Sequence, residues 1–137
     1  MRLAYLMFAT FAGLAGFMPP AMAADCADAI DQATMNECAD KALRVSDAEL
    51  NSLYKQMALR LKDDQDAAKL LVSAQKAWIA FRDAECSFSA SGVDGGSAYP
   101  MVLVQCRDGL TRKRVADFKA YLACPEGDLS CPLPPGN

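Results

Sequence analysis

Histidine is absent from this 137-residue chain, there is one tryptophan, and no C-x-x-C pair occurs. The lack of histidine removes the commonest general base and the imidazole metal ligand. Without C-x-x-C spacing there is also no thiolate pair to seed a zinc site. No serine or cysteine sits in a nucleophile motif such as G-x-S-x-G. Period-2 alternation of useful length is missing, so no strand is expected, and neither an internal repeat nor a second domain is visible. The chain is not basic: its net charge is −3, which argues against nucleic acid as the main partner, since phosphate binding needs a positive surface.

One stretch lacks charge altogether. After Met1-Arg2, residues Leu3 to Met18 are almost wholly apolar, Pro19-Pro20 follows, and Ala21-Met22-Ala23 ends the segment. A basic start, an apolar stretch and an A-x-A site make a secretory signal peptide, with cleavage expected after Ala23. The stretch is short for a membrane span, which needs about 20 apolar residues. Cys26 follows Asp25, without the small residue a lipid-attachment cysteine would follow. The expectation is therefore a leader (1–23), a helical domain (24–124) and a Pro-rich irregular tail (125–137), secreted or periplasmic, not inserted in a membrane after cleavage. Loss of Arg2 with the leader makes the remainder one unit more acidic, a charge suited to a cationic protein partner.

All six cysteines, Cys26, Cys38, Cys86, Cys106, Cys124 and Cys131, lie beyond that site. An even count in a small exported chain reads as three disulfides, for which sequence alone permits 15 connectivities.

Helix signals dominate the rest. Thr34-x-x-Glu37 and Ser46-x-x-Glu49 both fit the capping box. Leu50, Leu53, Tyr54, Met57 and Leu61 recur at spacings of three and four. Asp63-Asp64-Gln65-Asp66 is a polar break able to cap a second stripe through Ala67, Leu71, Ala74, Trp78, Phe81 and Phe88. Residues 90–97 form a Gly/Ser loop, and a third stripe runs through Leu103, Cys106, Leu110, Val115, Phe118 and Leu122. The expected fold class is all-α: a small disulfide-stapled antiparallel helical bundle of one short and three longer helices. Trp78 is expected to be a packing anchor.

Charges fall inside these stripes. At about 100° per residue, Glu85 lies about 20° and Arg82 about 40° from Trp78, while Arg107 and Arg114 fall in the apolar sector of the last helix. A charge on a core-facing stripe must be paired or reach water. Asp47, Asp83 and Glu85 are the candidate partners of Arg82, Arg107 and Arg114. Such a set is either a structural ion network fixing helix register or a polar ligand pocket.

Three strings carry a resemblance: Asp47-Ala48-Glu49-Leu50-Asn51-x-x-Tyr54; Gln75-x-x-Trp78-x-x-Phe81-Arg82-Asp83-x-x-Cys86; and Gly95-Gly96-Ser97 followed by Cys106 and Leu110-Thr111-x-x-Arg114. In this order they resemble the LprI-like lysozyme-inhibitor domain family of exported bacterial proteins, from about Cys26 to Leu122. The resemblance implies a helical, disulfide-bonded domain that inhibits lysozyme and so shields peptidoglycan. A lysozyme is then the expected protein partner, with no cofactor, no metal and no catalysis. The alternative is an envelope structural or stress protein binding another partner or a small ligand; a carboxylate-only hydrolase is a third reading. For the inhibitor, the candidate contact residues are Val93, Asp94, Gly95, Gly96 and Tyr99, in a loop closed at its base by Cys86 and Cys106. Gly92, Gly95 and Gly96 permit unusual backbone angles, Ser97 can cap the helix that follows, and Pro100 suits its first turn. The same loop can equally be a plain connection.

Local pairing, Cys26–Cys38, Cys86–Cys106 and Cys124–Cys131, is the expected connectivity. On one straight helix Cys26 and Cys38 would lie about 18 Å apart, so the segment before Cys38 must fold back. Peptide mapping of the unreduced protein should return these three linked peptides; a Cys26–Cys86 peptide would contradict the pairing.

Overall fold

The computed structural model describes residues 26–135; the expected signal peptide lies outside the described residues. Three long helices follow one another: α1 (Gln32–Arg60), α2 (Gln65–Ser89) and α3 (Tyr99–Leu122). A single 3-10 turn, Ser91–Val93, interrupts the α2–α3 connection. The described residues contain no strand, so the all-α class holds. The short first helix is not separate: it is the beginning of α1.

Two capping boxes explain that difference. Asp31, not Thr34, caps α1: its Oδ1 accepts from the Thr34 backbone N–H at 2.9 Å, and its Oδ2 accepts from the Thr34 hydroxyl at 2.6 Å. These bonds hold the Asp31 carboxyl below its ordinary value, the hydroxyl contributing most. Because the folded value is lowered, this contribution is present above the usual carboxylate range and is lost as pH falls through the lowered value. Ser46, the other expected cap, is buried inside α1 and donates its hydroxyl to the Leu43 carbonyl at 3.1 Å. A serine bonded back to its own helix leaves the backbone ladder intact. The polar break caps α2 as expected, through Asp64 accepting from Ala67 N–H at 3.0 Å.

The chain runs up, down and up. Leu61–Asp64 turns tightly from α1 into α2. Gln32 and Asn36 at the start of α1 reach Met101 and Ser97 at the start of α3, so α1 and α3 run parallel. Gln75 meets Arg114, and Cys86 meets Cys106, so α2 runs antiparallel to α3. The core lies mainly between α1 and α3: Leu50, Leu53, Met57 and Leu61 meet Val115 and the fully buried Phe118. Tyr54 flanks Phe118 with ring centroids 6.5 Å apart.

α2 contributes little to that core. Only Leu71 and Cys86 are buried on it, with Ala67, Ala68 and Trp78 half-buried against the cluster. The expected second stripe is therefore split. Leu71 and Trp78 face inward, whereas Ala74, Phe81 and Phe88 are exposed.

The disulfides pair as expected, Cys26–Cys38, Cys86–Cys106 and Cys124–Cys131, with Cα–Cα separations of 5.6, 5.5 and 5.8 Å. After Cys124 the chain is irregular, and it returns Leu133 to the core beside Leu61 and Leu71. Among the described residues, no helix is long and apolar enough to cross a membrane.

Candidate functional site

Two features come out of the sequence-predicted residues: a polar junction inside the bundle and a loop at one end.

The junction is built around Arg82, whose side chain is 13% exposed. Its Nη1 donates to Asp47 Oδ1 on α1 at 3.1 Å and to the Thr111 hydroxyl on α3 at 3.2 Å. Its Nε donates to Asp83 Oδ1 at 3.2 Å. Thr111 is fully buried and its hydroxyl lies 3.4 Å from Asp47 Oδ1. One guanidinium thus joins all three helices, a task suited to a planar fork of five donors. Arg107 Nε sits 3.3 Å from Asp83 Oδ1, near enough to pair in charge but misaligned for a hydrogen bond.

Glu85 does not join this set; it is exposed. The inward direction of α2 passes through Arg82 and Cys86, and Glu85 lies about 100° from Cys86. Arg114 is a separate case. Its Nε is 3.4 Å from Gln75 Oε1, its nearest carboxylate is Asp117 on its own helix at 3.9 Å, and its guanidinium lies over Phe118 at 4.6 Å. Arg82 and Arg114 lie 5.2 and 5.9 Å from the Trp78 ring centroid, so this half-buried indole is flanked by two cations. Sequence reasoning assigned no role to Thr111, although it stands in the Leu110-Thr111-x-x-Arg114 string. It also passed over Asp108, nearly buried, which Arg112 meets at 2.6 Å from one turn away.

The loop is tied at its base and along its length. Its ends are closed by Cys86–Cys106 and by the fully buried Ala90. Between them successive turns are hydrogen-bonded, Val93 N–H to Ala90 O, Asp94 N–H to Ser91 O, Gly96 N–H to Val93 O and Tyr99 N–H to Gly96 O, at 3.0–3.3 Å. Asp94 Oδ1 accepts from Gly95 N–H at 3.0 Å. Gly95 has φ +74°, which favours glycine there, and a Cβ on Gly96 would press on the Val93 carbonyl at 3.1 Å. Ser97 does not cap α3; Ala98 occupies the cap, and the Ser97 carbonyl accepts from Asn36 Nδ2 at 3.2 Å, tying the loop to α1. Pro100 sits in the first turn as expected. Val93, Asp94, Gly95 and Gly96 are exposed together at the tip, whereas Tyr99 is half-buried in the first turn of α3. Asp28 and Asp31 are exposed at this same end.

Cys124, Asp128 and Cys131 come within metal-ligand distance of one another. The two sulfurs are joined as a disulfide, which leaves no thiolate to bind a metal.

The chain matches the family described as Lysozyme inhibitor LprI over residues 23–118, and it belongs to that family. An uncharacterized protein of Rhizobium meliloti (strain 1021) is 39% identical over 113 residues, covering 74% of this chain and 81% of its own. No solved structure matches.

If Arg82 is the joint between helices, Arg82→Met should lower stability by about 1–3 kcal/mol, because Asp47 loses its charge partner and the Thr111 hydroxyl a donor while water still reaches the carboxylate. Chemical denaturation checks this. A double-mutant cycle of Arg82→Met with Asp47→Asn should give a coupling of about 1 kcal/mol or more; additive effects would contradict a direct pair.

Proposed function

We propose that this domain binds a lysozyme-type peptidoglycan hydrolase and inhibits it through the end of the bundle that carries residues 90–98. The observation that carries this reading is the membership in a lysozyme-inhibitor family together with an exposed loop fixed at its base. Hydrolases of this kind act with two carboxylates flanking the glycosidic bond, and an inhibitor need only occupy the cleft between them. A loop already held by a disulfide and its own turns loses little conformational entropy on docking, so a few contacts are enough.

The chemistry of the tip favours backbone groups and Val93 as the inserted elements. Asp94 would face the acidic pair of the enzyme and would need a basic neighbour there. Its Oδ1 is also engaged by Gly95 N–H. Tyr99, half-buried, contributes its exposed edge at the loop's base. Asp28 and Asp31 supply negative charge around the same end, which steers a cationic enzyme into place. The domain in this reading is a binder and not an enzyme. Arg82, Asp47, Asp83 and Arg107 position the helices and touch no substrate. Cleavage after Ala23 would release the domain into the periplasm or medium, where three disulfides are stable.

Replacing Val93–Gly96 by four serines and titrating against a lysozyme that the parent protein inhibits tests this. Inhibition should weaken at least about tenfold, equal to about 1.4 kcal/mol, with helicity retained. Added salt should slow association. Unchanged inhibition would place the binding face elsewhere.

A further inference from the structure

One flank of α2, roughly a third of a turn round from its buried side, carries an apolar strip open to solvent, its Leu70–Ala74 end bordering a groove shared with Tyr121 and Pro132. Leu70, Ala74, Ala77, Phe81, Ala84 and Phe88 are all exposed, and the three large ones stand 71%, 54% and 76% open to solvent. Single exposed apolar residues are ordinary, but a contiguous strip marks an interaction surface. The spacing here is 4-3-4-3-4, the alternation of the a and d positions of a coiled coil. Such a strip fits another helix along its length, not a loop or a small molecule.

The order of spacings reads the same in both directions. An antiparallel copy of α2 therefore aligns every position: Leu70 faces Phe88 of the second copy, Ala74 faces Ala84, and Ala77 faces Phe81. At the centre each Phe81 ring meets an alanine on the other helix, a large-into-small fit. At that centre a parallel pair would instead stack Phe81 on Phe81 and Ala77 on Ala77, one layer overfilled and the next underfilled. One border of the strip is Ser73, Ala80 and Ser87, small and uncharged, so the helices can approach closely without like charges meeting. The two-fold axis falls between Ala77 and Phe81 of each copy, as an isologous pair requires.

We propose that this protein self-associates through α2 as an antiparallel two-fold dimer centred between Ala77 and Phe81. The strip is about 27 Å long, and pairing two of them buries on the order of 1,000 Å² in total, the lower bound for a specific interface. The dimer is accordingly weak and concentration-dependent. It leaves the 90–98 loops free and points them away from each other, roughly 40 Å apart at the two ends. This inference stands on the α2 face alone and does not depend on what the loop binds.

Sedimentation equilibrium of the purified chain, from about 1 μM to about 1 mM, reads the association directly; a dimer with a dissociation constant of about 10 to 200 μM passes its midpoint within that range. Phe81→Glu should reduce association at least tenfold, with the circular dichroism spectrum and melting temperature unchanged, because Phe81 is exposed in the monomer. Ala77→Lys should do the same. Mixing the two variants should restore association above either alone, since residue 77 of one copy faces residue 81 of the other. A chain that stays monomeric throughout, or a Phe81→Glu variant that associates like the parent, overturns the proposal. A mixture that fails to recover overturns the antiparallel register. A Phe81→Glu variant that loses lysozyme binding while the parent is monomeric assigns the face to the enzyme instead.

Discussion

Arg82 is the group on which the arrangement of the three helices depends. Its guanidinium bonds Asp47 on α1, Thr111 on α3 and its neighbour Asp83, with most of its surface removed from water. A buried cation is tolerated only with such partners, and removing any one of them leaves a desolvated group behind. Its value is geometric: α2 has just two buried side chains, too few to fix its rotation by packing. The Arg82 junction and the Cys86–Cys106 bridge lie about one helical turn apart on α2 and set which face turns inward. The loop that follows inherits its position from them, since α2 delivers Ala90 and α3 resumes at Tyr99.

That division of labour explains what was legible in the sequence. The stripe from Leu50 to Leu61 and the Val115–Phe118–Leu122 end of the third stripe fall in or against the core, because there α1 and α3 pack along an apolar seam for which periodicity is a direct signal; Leu103, Cys106 and Leu110 are only half-buried, since the inner face of that half of α3 carries Asp108 and Thr111. Periodicity misled for α2, whose most regular apolar stripe, Leu70 to Phe88, faces water, while its inner face carries Gln75 and Arg82. Residue types cannot say which of two stripes is covered; the polar junction decides. The capping boxes misled for a related reason. Ser46-x-x-Glu49 has the letters of a helix start, yet a serine can bond back within a helix, and Asp31 outcompetes Thr34 as a cap because its carboxylate accepts both Thr34 donors. The local disulfides were legible since each cysteine pair is separated by 7 to 20 residues.

Of the candidate site, Val93 to Gly96 emerged as one exposed unit and Asp47, Arg82, Asp83 and Arg107 as one cluster. Glu85 fell out because a helical wheel centred on Trp78 is centred on a half-buried residue. Thr111 was invisible as a partner because a threonine carries no signal of burial until its neighbours across the helices are known. The two features suit one design. A bundle fixed at a few polar and covalent points holds a short loop rigid at one end and leaves the flank of α2 free.

Native-state hydrogen exchange across a denaturant series tests this account most directly. Joined by point fixings, α2 should open in a sub-global step, its amides around Leu70–Ala77 exchanging at lower free energy than those of α1 and α3 beside Phe118. Exchange of all three helices through one common opening, at one free energy, would contradict it and make α2 an integral part of the core.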